Sequence, residues 1–294
     1  MEKFLSLTLG GVISGSVYAA FALALVLIWR STRIVNFAQG AMAAATTFIA
    51  VALIDAGWSY WLALVAALLS GLVLGALIER VVIRPVEGGP ELNAVIVTLG
   101  LFIAIQGAVA LIFGVDQRAF VPPLSNIGYE VREGFTLPIS PNTIYTVGAV
   151  LGTMLLLIAL FRFTRVGLAM RASAFGQEVA RLLGVRVGRM LTLGWALAAL
   201  VGALAGILIA GDVLVISPNF MDNLIVFGFV AAVLGGLDSP VGAVVGGLLL
   251  GLALNYVRGY LDDSLLGMAA LVILVVVLLV RPGGLFSTTP ARRA

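Results

Sequence analysis

Cysteine and histidine are absent from this 294-residue sequence, and its only lysine is Lys3. These absences exclude disulfides, thiolate and imidazole metal sites, histidine acid–base catalysis and a buried Schiff-base lysine. A phosphate-cradling G-x-x-x-x-G-K-[ST] loop is excluded as well, because no lysine lies beyond position 3. Nucleotide energy must then come from another polypeptide. Charge is also scarce, with 11% of residues charged against 62% apolar. A soluble domain has no interior large enough to hide that ratio, so the missing solvent is a lipid bilayer. No catalytic residue, metal site or cofactor is expected. The net charge of +3 is spread as arginines between apolar runs, which reads as a topology signal and not as a nucleic-acid surface.

A helix needs about 20 apolar residues to cross a hydrocarbon core of roughly 30 Å. Nine runs are candidates: Phe4 to Trp29, Ile34 to Ile54, Tyr60 to Ile78, Ala94 to Val115, Thr143 to Phe161, Met190 to Ala210, Asn223 to Leu237, Val241 to Val257 and Ser264 to Val280. The first carries no separable cleavage pattern and is read as a retained span. The seventh is short, either a tilted or broken helix or one half of a re-entrant pair with the eighth. The expected fold is therefore an all-α polytopic transmembrane bundle of eight to ten spans, one transmembrane domain over residues 1–294.

Positively charged loops stay on the cytoplasmic side. If the segment from Arg162 to Arg189 is cytoplasmic, alternation places thirteen of the seventeen basic residues inside. The N-terminus is then outside and the C-terminus inside. Residues 116–142, with Pro122, Pro123, Pro138 and Pro141, form an external loop expected to fold as a cap. Residues 162–189 form a basic internal loop. Within it Phe175, Val179, Leu182 and Leu183 fall at i, i+4, i+7 and i+8, one apolar stripe of a short helix that Gly184 would end. Glu178 and Arg181 lie on its other side. Such a helix must find a partner or the membrane surface.

Ionisable residues are nearly absent inside the spans, since Asp55, Glu79, Asp212 and Asp238 all sit at span ends. That argues against proton coupling and charge-selective conduction. The most polar intramembrane stretch opens the second run with Asn36, Phe37 and Gln39, whose amides at i and i+3 would share a helix face. Two readings stay open for them, and for Thr98, Gln106, Ser14, Ser16 and Asn255: they line a solute path, or they lock helices together by hydrogen bonds. Glycines recur at four-residue spacing in six pairs, Gly11/Gly15, Gly71/Gly75, Gly148/Gly152, Gly202/Gly206, Gly242/Gly246 and Gly247/Gly251. They permit close helix approach in lipid.

With GSVYAAFALALVLIWRSTRIVNFAQGAM read beside VTLGL, GLAMRASAFGQEVARLLGV, AVLGGLDSPVGAVVGG and RPGGLF, the chain resembles the permease subunits of branched-chain amino acid ABC importers, the LivH-like family. The resemblance runs from Gly15 to Phe286 in order. It implies a bacterial inner-membrane location, a second homologous permease subunit, two cytoplasmic ATPase subunits that hold ATP and Mg, and an extracytoplasmic solute-binding protein. It also implies that Arg171 to Val185, with Arg171, Phe175, Glu178, Val179, Leu182, Leu183 and Gly184, is a segment that docks on an ATPase. The family's second-span motif commonly has histidine where Gln39 stands, and glutamine cannot titrate near neutrality. The alternative is a secondary transporter or uniporter of small polar solutes that works without ATPases.

Overall fold

The computed structural model describes residues 2–87, 89–132 and 135–286. The fold is an all-α polytopic bundle. The first helix, α1 (Glu2–Thr32), is followed by α2 (Gln39–Asp55), α3 (Tyr60–Ile78) and α4 (Glu91–Phe113). Then come α5 (Pro141–Phe163), the short helices α6 (Arg165–Phe175) and α7 (Gln177–Leu182), and α8 (Val187–Val213). The chain closes with α9 (Asp222–Gly235), α10 (Pro240–Tyr260) and α11 (Leu266–Val280). Among the described residues, seven helical spans are long and apolar enough to cross a bilayer, and α2 and α9 are shorter apolar helices. The nine together match the nine runs read from the sequence.

Two helices form the centre. Of the most apolar 18 residues, 78% are buried in α1 and in α8, against 11% in α4 and 6% in α11. An apolar helix buried on all sides belongs inside other protein, whereas an apolar helix left open belongs against lipid. Five of the six glycine pairs explain how the centre closes. A Cβ on Gly15 would stand 2.8 Å from the Leu248 backbone of α10, and one on Gly71 would stand 2.9 Å from the Ala199 carbonyl oxygen of α8. Gly148 and Gly152 of α5 face open space, with nothing within 4 Å of either position.

The short helices are short for a physical reason. A 17-residue helix spans about 26 Å and a 14-residue helix about 21 Å, less than the hydrocarbon core. Both are enclosed by neighbouring helices, where interrupted backbone can be satisfied. For α9 the closing groups come from far along the chain, because the amides of Leu285 and Phe286 donate to the carbonyls of Leu234 and Gly235 at 2.9 and 3.1 Å. The RPGGLF motif thus caps the last turn of α9.

Beyond α3 the helix continues as one π-turn, Glu79–Ile83, and one three-ten turn, Arg84–Val86. Here Glu79 is fully buried and paired with Arg84 at 3.0 Å, and Arg84 also donates to the Gly188 carbonyl and the Thr192 hydroxyl oxygen, each at 2.8 Å. The π-turn lets Glu79 and Arg84, five residues apart, face the same side. The pair fastens the end of α3 to the start of α8.

The loop after α4 is tied down. Strand β1 (Arg118–Ala119) pairs antiparallel with β4 (Val215–Ile216), and β2 (Glu130–Arg132) pairs with β3 (Phe135–Thr136). Asn126 and Asn142 both donate to the Gly211 carbonyl near the end of α8, at 2.8 and 3.3 Å.

Packing of this kind has a sharp signature. Changing Gly251 to valine would drive a side chain into the Gly15 backbone of α1, and overpacking costs about 1–3 kcal/mol or more. Valine at Gly152 meets nothing. Thermal unfolding in mild detergent should show a marked loss for Gly251→Val and little change for Gly152→Val.

Candidate functional site

Three polar or amphipathic regions occur along the bundle, and α8 touches all of them. The first is the passage from α1 to α2. The sequence reading placed Asn36 in the opening turn of a helix, but the helix begins at Gln39 and Asn36 lies in the preceding turn. Two local causes are visible. Arg33 takes a left-handed conformation at φ 59° that ends α1, and the Asn36 side-chain oxygen accepts the Ala38 amide at 3.0 Å. A side chain that offers the backbone such a bond competes with helix formation.

Asn36 and Gln39 are both buried. The Asn36 amide nitrogen donates to Gln39 Oε1 at 3.1 Å, and Gln39 Nε2 donates to the Ala198 carbonyl of α8 at 3.0 Å. Thr98 of α4 is buried beside them and donates to the Val35 and Val95 carbonyls at 3.4 and 3.0 Å. Ala198 lies eleven residues into α8, about 17 Å along its axis, so this turn sits deep in the bundle. Phe37 packs against Phe229 of α9 with ring centres 6.5 Å apart. Gln106 is elsewhere, donating to Asp222 Oδ1 at the start of α9 at 3.3 Å.

The second region is a pocket of about 220 Å³ near the opposite end of α8, bordered by Asp212, Arg258, Asn223, Tyr18, Phe220 and Phe227. Its wall is mixed, a carboxylate and a guanidinium beside aromatic rings. Arg258 is bonded to Asp263 at 2.6 Å, while Asp212 makes no ion pair among the described residues. Such a wall can take the ammonium and carboxylate of a zwitterion and leave an apolar side chain to the rings. The sequence reading found Asp212 only as a residue at a span end. Its convergence with Arg258, 46 positions later, depends on how α8 and α10 pack.

The third region is the loop between α5 and α8. The expected single helix is two, because Gly176 is extended (φ −167°, ψ 107°) and separates α6 from α7. The Phe175 side chain lies outside the described part of the structure. In α7 the predicted C-terminus is sharp: Gly184 has φ 81°, its amide donates to the Arg181 carbonyl at 3.0 Å, and the Val185 amide donates to the Ala180 carbonyl at 2.9 Å. These are the paired bonds of a Schellman cap. Ala180 is buried against Val187 and Leu191 of α8. Val179, Leu182 and Leu183 point away at 60%, 88% and 76% exposure. Val179 and Leu183 border a groove of about 430 Å³ between α6 and α7 whose lining includes Arg171. Glu178 is exposed as well, whereas its half-buried neighbour Gln177 donates its side-chain amide to Glu87 at 3.1 Å.

The family model described as branched-chain amino acid transport system / permease component matches residues 7–280. The chain belongs to that family. Among the relatives of this permease, the high-affinity branched-chain amino acid transport system permease protein LivH of Escherichia coli (strain K12) is 32% identical, over 96% of this chain and 95% of its own length. The corresponding protein BraD of Pseudomonas aeruginosa is 30% identical over the same shares. The fold resembles the solved structure of PsaBC from Streptococcus pneumoniae in complex with Fab, with a TM-score of 0.51 at 13% identity, covering 94% of this chain and 92% of that one. The permease is a multi-pass protein of the bacterial inner membrane with a transport role and no enzymatic one.

The buried amide chain predicts a stability effect. Replacing Gln39 by leucine removes the oxygen that accepts from the Asn36 amide and leaves that buried donor only the weakly accepting Met42 sulfur at 3.4 Å, a loss of about 1–3 kcal/mol. Thermal unfolding in detergent of Gln39→Leu should show it, and Gln39→Glu at low pH should recover part of it.

Proposed function

We propose that this permease forms half of the membrane pathway of an ATP-driven importer for branched-chain or other apolar amino acids. ATP hydrolysis belongs to two separate cytoplasmic subunits. A second homologous permease supplies the other half, and an extracytoplasmic binding protein delivers the solute. The observation that carries the reading is α7, a capped helix fixed to α8 through Ala180 that turns Val179, Leu182 and Leu183 outward. An exposed apolar stripe of this kind is a partner surface.

Movement at α7 has a mechanical route through the molecule. Val187 and Leu191 carry it into α8, a helix of 27 residues and about 40 Å. Ala198, in its middle, holds Gln39 and the start of α2. Asp212, near its far end, borders the mixed pocket. A shift of α8 driven from the ATPase side would therefore move the α1–α2 turn and the pocket wall together, coupling an ATPase cycle to access for the solute. Asn36, Phe37, Gln39, Thr98 and Gln106 act in this scheme from the helix junctions they bond.

Replacing Val179 or Leu182 by aspartate would place an unpaired carboxylate in the ATPase interface, at a cost of several kcal/mol. Co-purification of the ATPases and solute-stimulated ATP hydrolysis in liposomes should both fall. Glu178→Ala should retain most of each. Normal values in the aspartate variants would remove this helix from the coupling role.

The orientation is tested by labelling single cysteines in this cysteine-free chain. An impermeant reagent should reach Ser125→Cys in intact cells and Arg181→Cys only after the membrane is opened. Both residues are exposed, whereas Ser173 is buried and unsuitable as a reporter. The reverse pattern would invert the topology.

A further inference from the structure

A cavity of about 310 Å³ lies between α1, α5, α6 and the start of α10, where Pro240 and Val241 border it, and its lining joins three arginines, Arg30, Arg162 and Arg171, to apolar residues such as Leu23, Met154 and Ile158. The lining contains no acidic residue. Among the described residues, none of the three arginines is in an ion pair. The nearest acid to Arg30, Asp238, is bonded to Arg33, so the three guanidinium groups keep an excess of positive charge that favours an anion.

The charges and the apolar wall are separated along the membrane normal. Arg30 is in the last turn of α1 and Arg162 in the last turn of α5, so the cationic end lies where these spans leave the hydrocarbon. Leu23 is seven residues before Arg30 and Met154 eight before Arg162, about 10–12 Å deeper. The ring of Phe161 stands at the boundary, with the Arg30 guanidinium 5.7 Å from its centre. On its other side α5 presents Leu151, Leu155 and Leu156 outward, as a helix in contact with lipid does.

We propose that this cavity binds an anionic phospholipid, its phosphate held by Arg30, Arg162 and Arg171 and an acyl chain lying along Leu23, Met154 and Ile158. The occupant follows from the polarity gradient. A soluble anion would use the arginines and leave the apolar wall wet, and a neutral lipid would leave the excess guanidinium charge unmatched. Basic pockets between transmembrane helices at the arginine-rich face are suited to phosphate headgroups in this way. Arg171 belongs to α6, two residues before the buried Ser173, so a bound headgroup would also tie α6 to the ends of α1 and α5.

The test uses the full chain purified in mild detergent with the subunits that accompany it. Dioleoylphosphatidylglycerol, dioleoylphosphatidylcholine and glycerol 1-phosphate are added separately. Thermal unfolding is recorded, and retained lipid is counted by native mass spectrometry. Phosphatidylglycerol should raise the midpoint by several degrees and be retained at least tenfold more than phosphatidylcholine. Glycerol 1-phosphate should give no comparable shift. The double variant Arg30→Gln/Arg171→Gln should lose the selectivity. Ile158→Trp, which fills the apolar part and keeps every charge, should lose retention of phosphatidylglycerol, and it decides the matter if the double variant does not fold. Equal effects of the two lipids, an equal effect of glycerol 1-phosphate, or wild-type retention by Ile158→Trp would each overturn the proposal. So would cross-linking of Ile158→Cys to another polypeptide in place of lipid.

Discussion

A hydrocarbon core offers no water to hydrogen-bond a peptide group, and this constraint organises the whole bundle. Every interruption of a helix at depth must be satisfied from within the chain. The turn between α1 and α2 meets the requirement with Asn36 bonded to the Ala38 amide, Gln39 bonded to Ala198, and Thr98 bonded to Val35. The end of α9 meets it with the amides of Leu285 and Phe286. The same constraint removes hydrophobic burial as the force that brings helices together, since lipid is as apolar as a helix surface. Close backbone contact has to replace it. The glycine pairs between α1 and α10, α3 and α8, and α9 and α10 provide that contact.

This arrangement makes α8 the common member of regions that would otherwise be independent. Its first turn receives Ala180 from α7 and Arg84 from the end of α3. Its middle receives Gln39, and its far end carries Asp212 and the bonds from Asn126 and Asn142. Because α8 is unbroken over 27 residues, a displacement at one end cannot be absorbed locally. A packed interior passes such a displacement on.

Much of this was legible in the residues, and the exceptions share a cause. Apolar run lengths located the nine apolar helices found among the described residues, and glycine spacing located five pairs of close contacts. Gly148 and Gly152 have the same spacing without the contact, because spacing along a helix does not say what stands opposite. The end of α7 at Gly184 was readable, since a left-handed cap is a local requirement. The break at Gly176 was not, because the apolar spacing from Phe175 to Leu183 fits an unbroken helix equally well. Asn36 was placed in the helix by its interval from Gln39, whereas its own side chain bonds the backbone and delays the helix start. The Glu79–Arg84 pair depends on a π-turn, and the Asp212–Arg258 pocket on packing between α8 and α10. Neither leaves a periodic trace in the sequence.

The account rests on transport through this permease being driven from outside it, through α7 and α8. The most direct measurement is uptake of labelled leucine into proteoliposomes that contain either this permease alone or the assembly with the second permease, the ATPases and the binding protein. The account predicts ATP-dependent uptake by the assembly and none by the single chain under any ion gradient. Uptake by the chain alone, with or without a gradient, would contradict it.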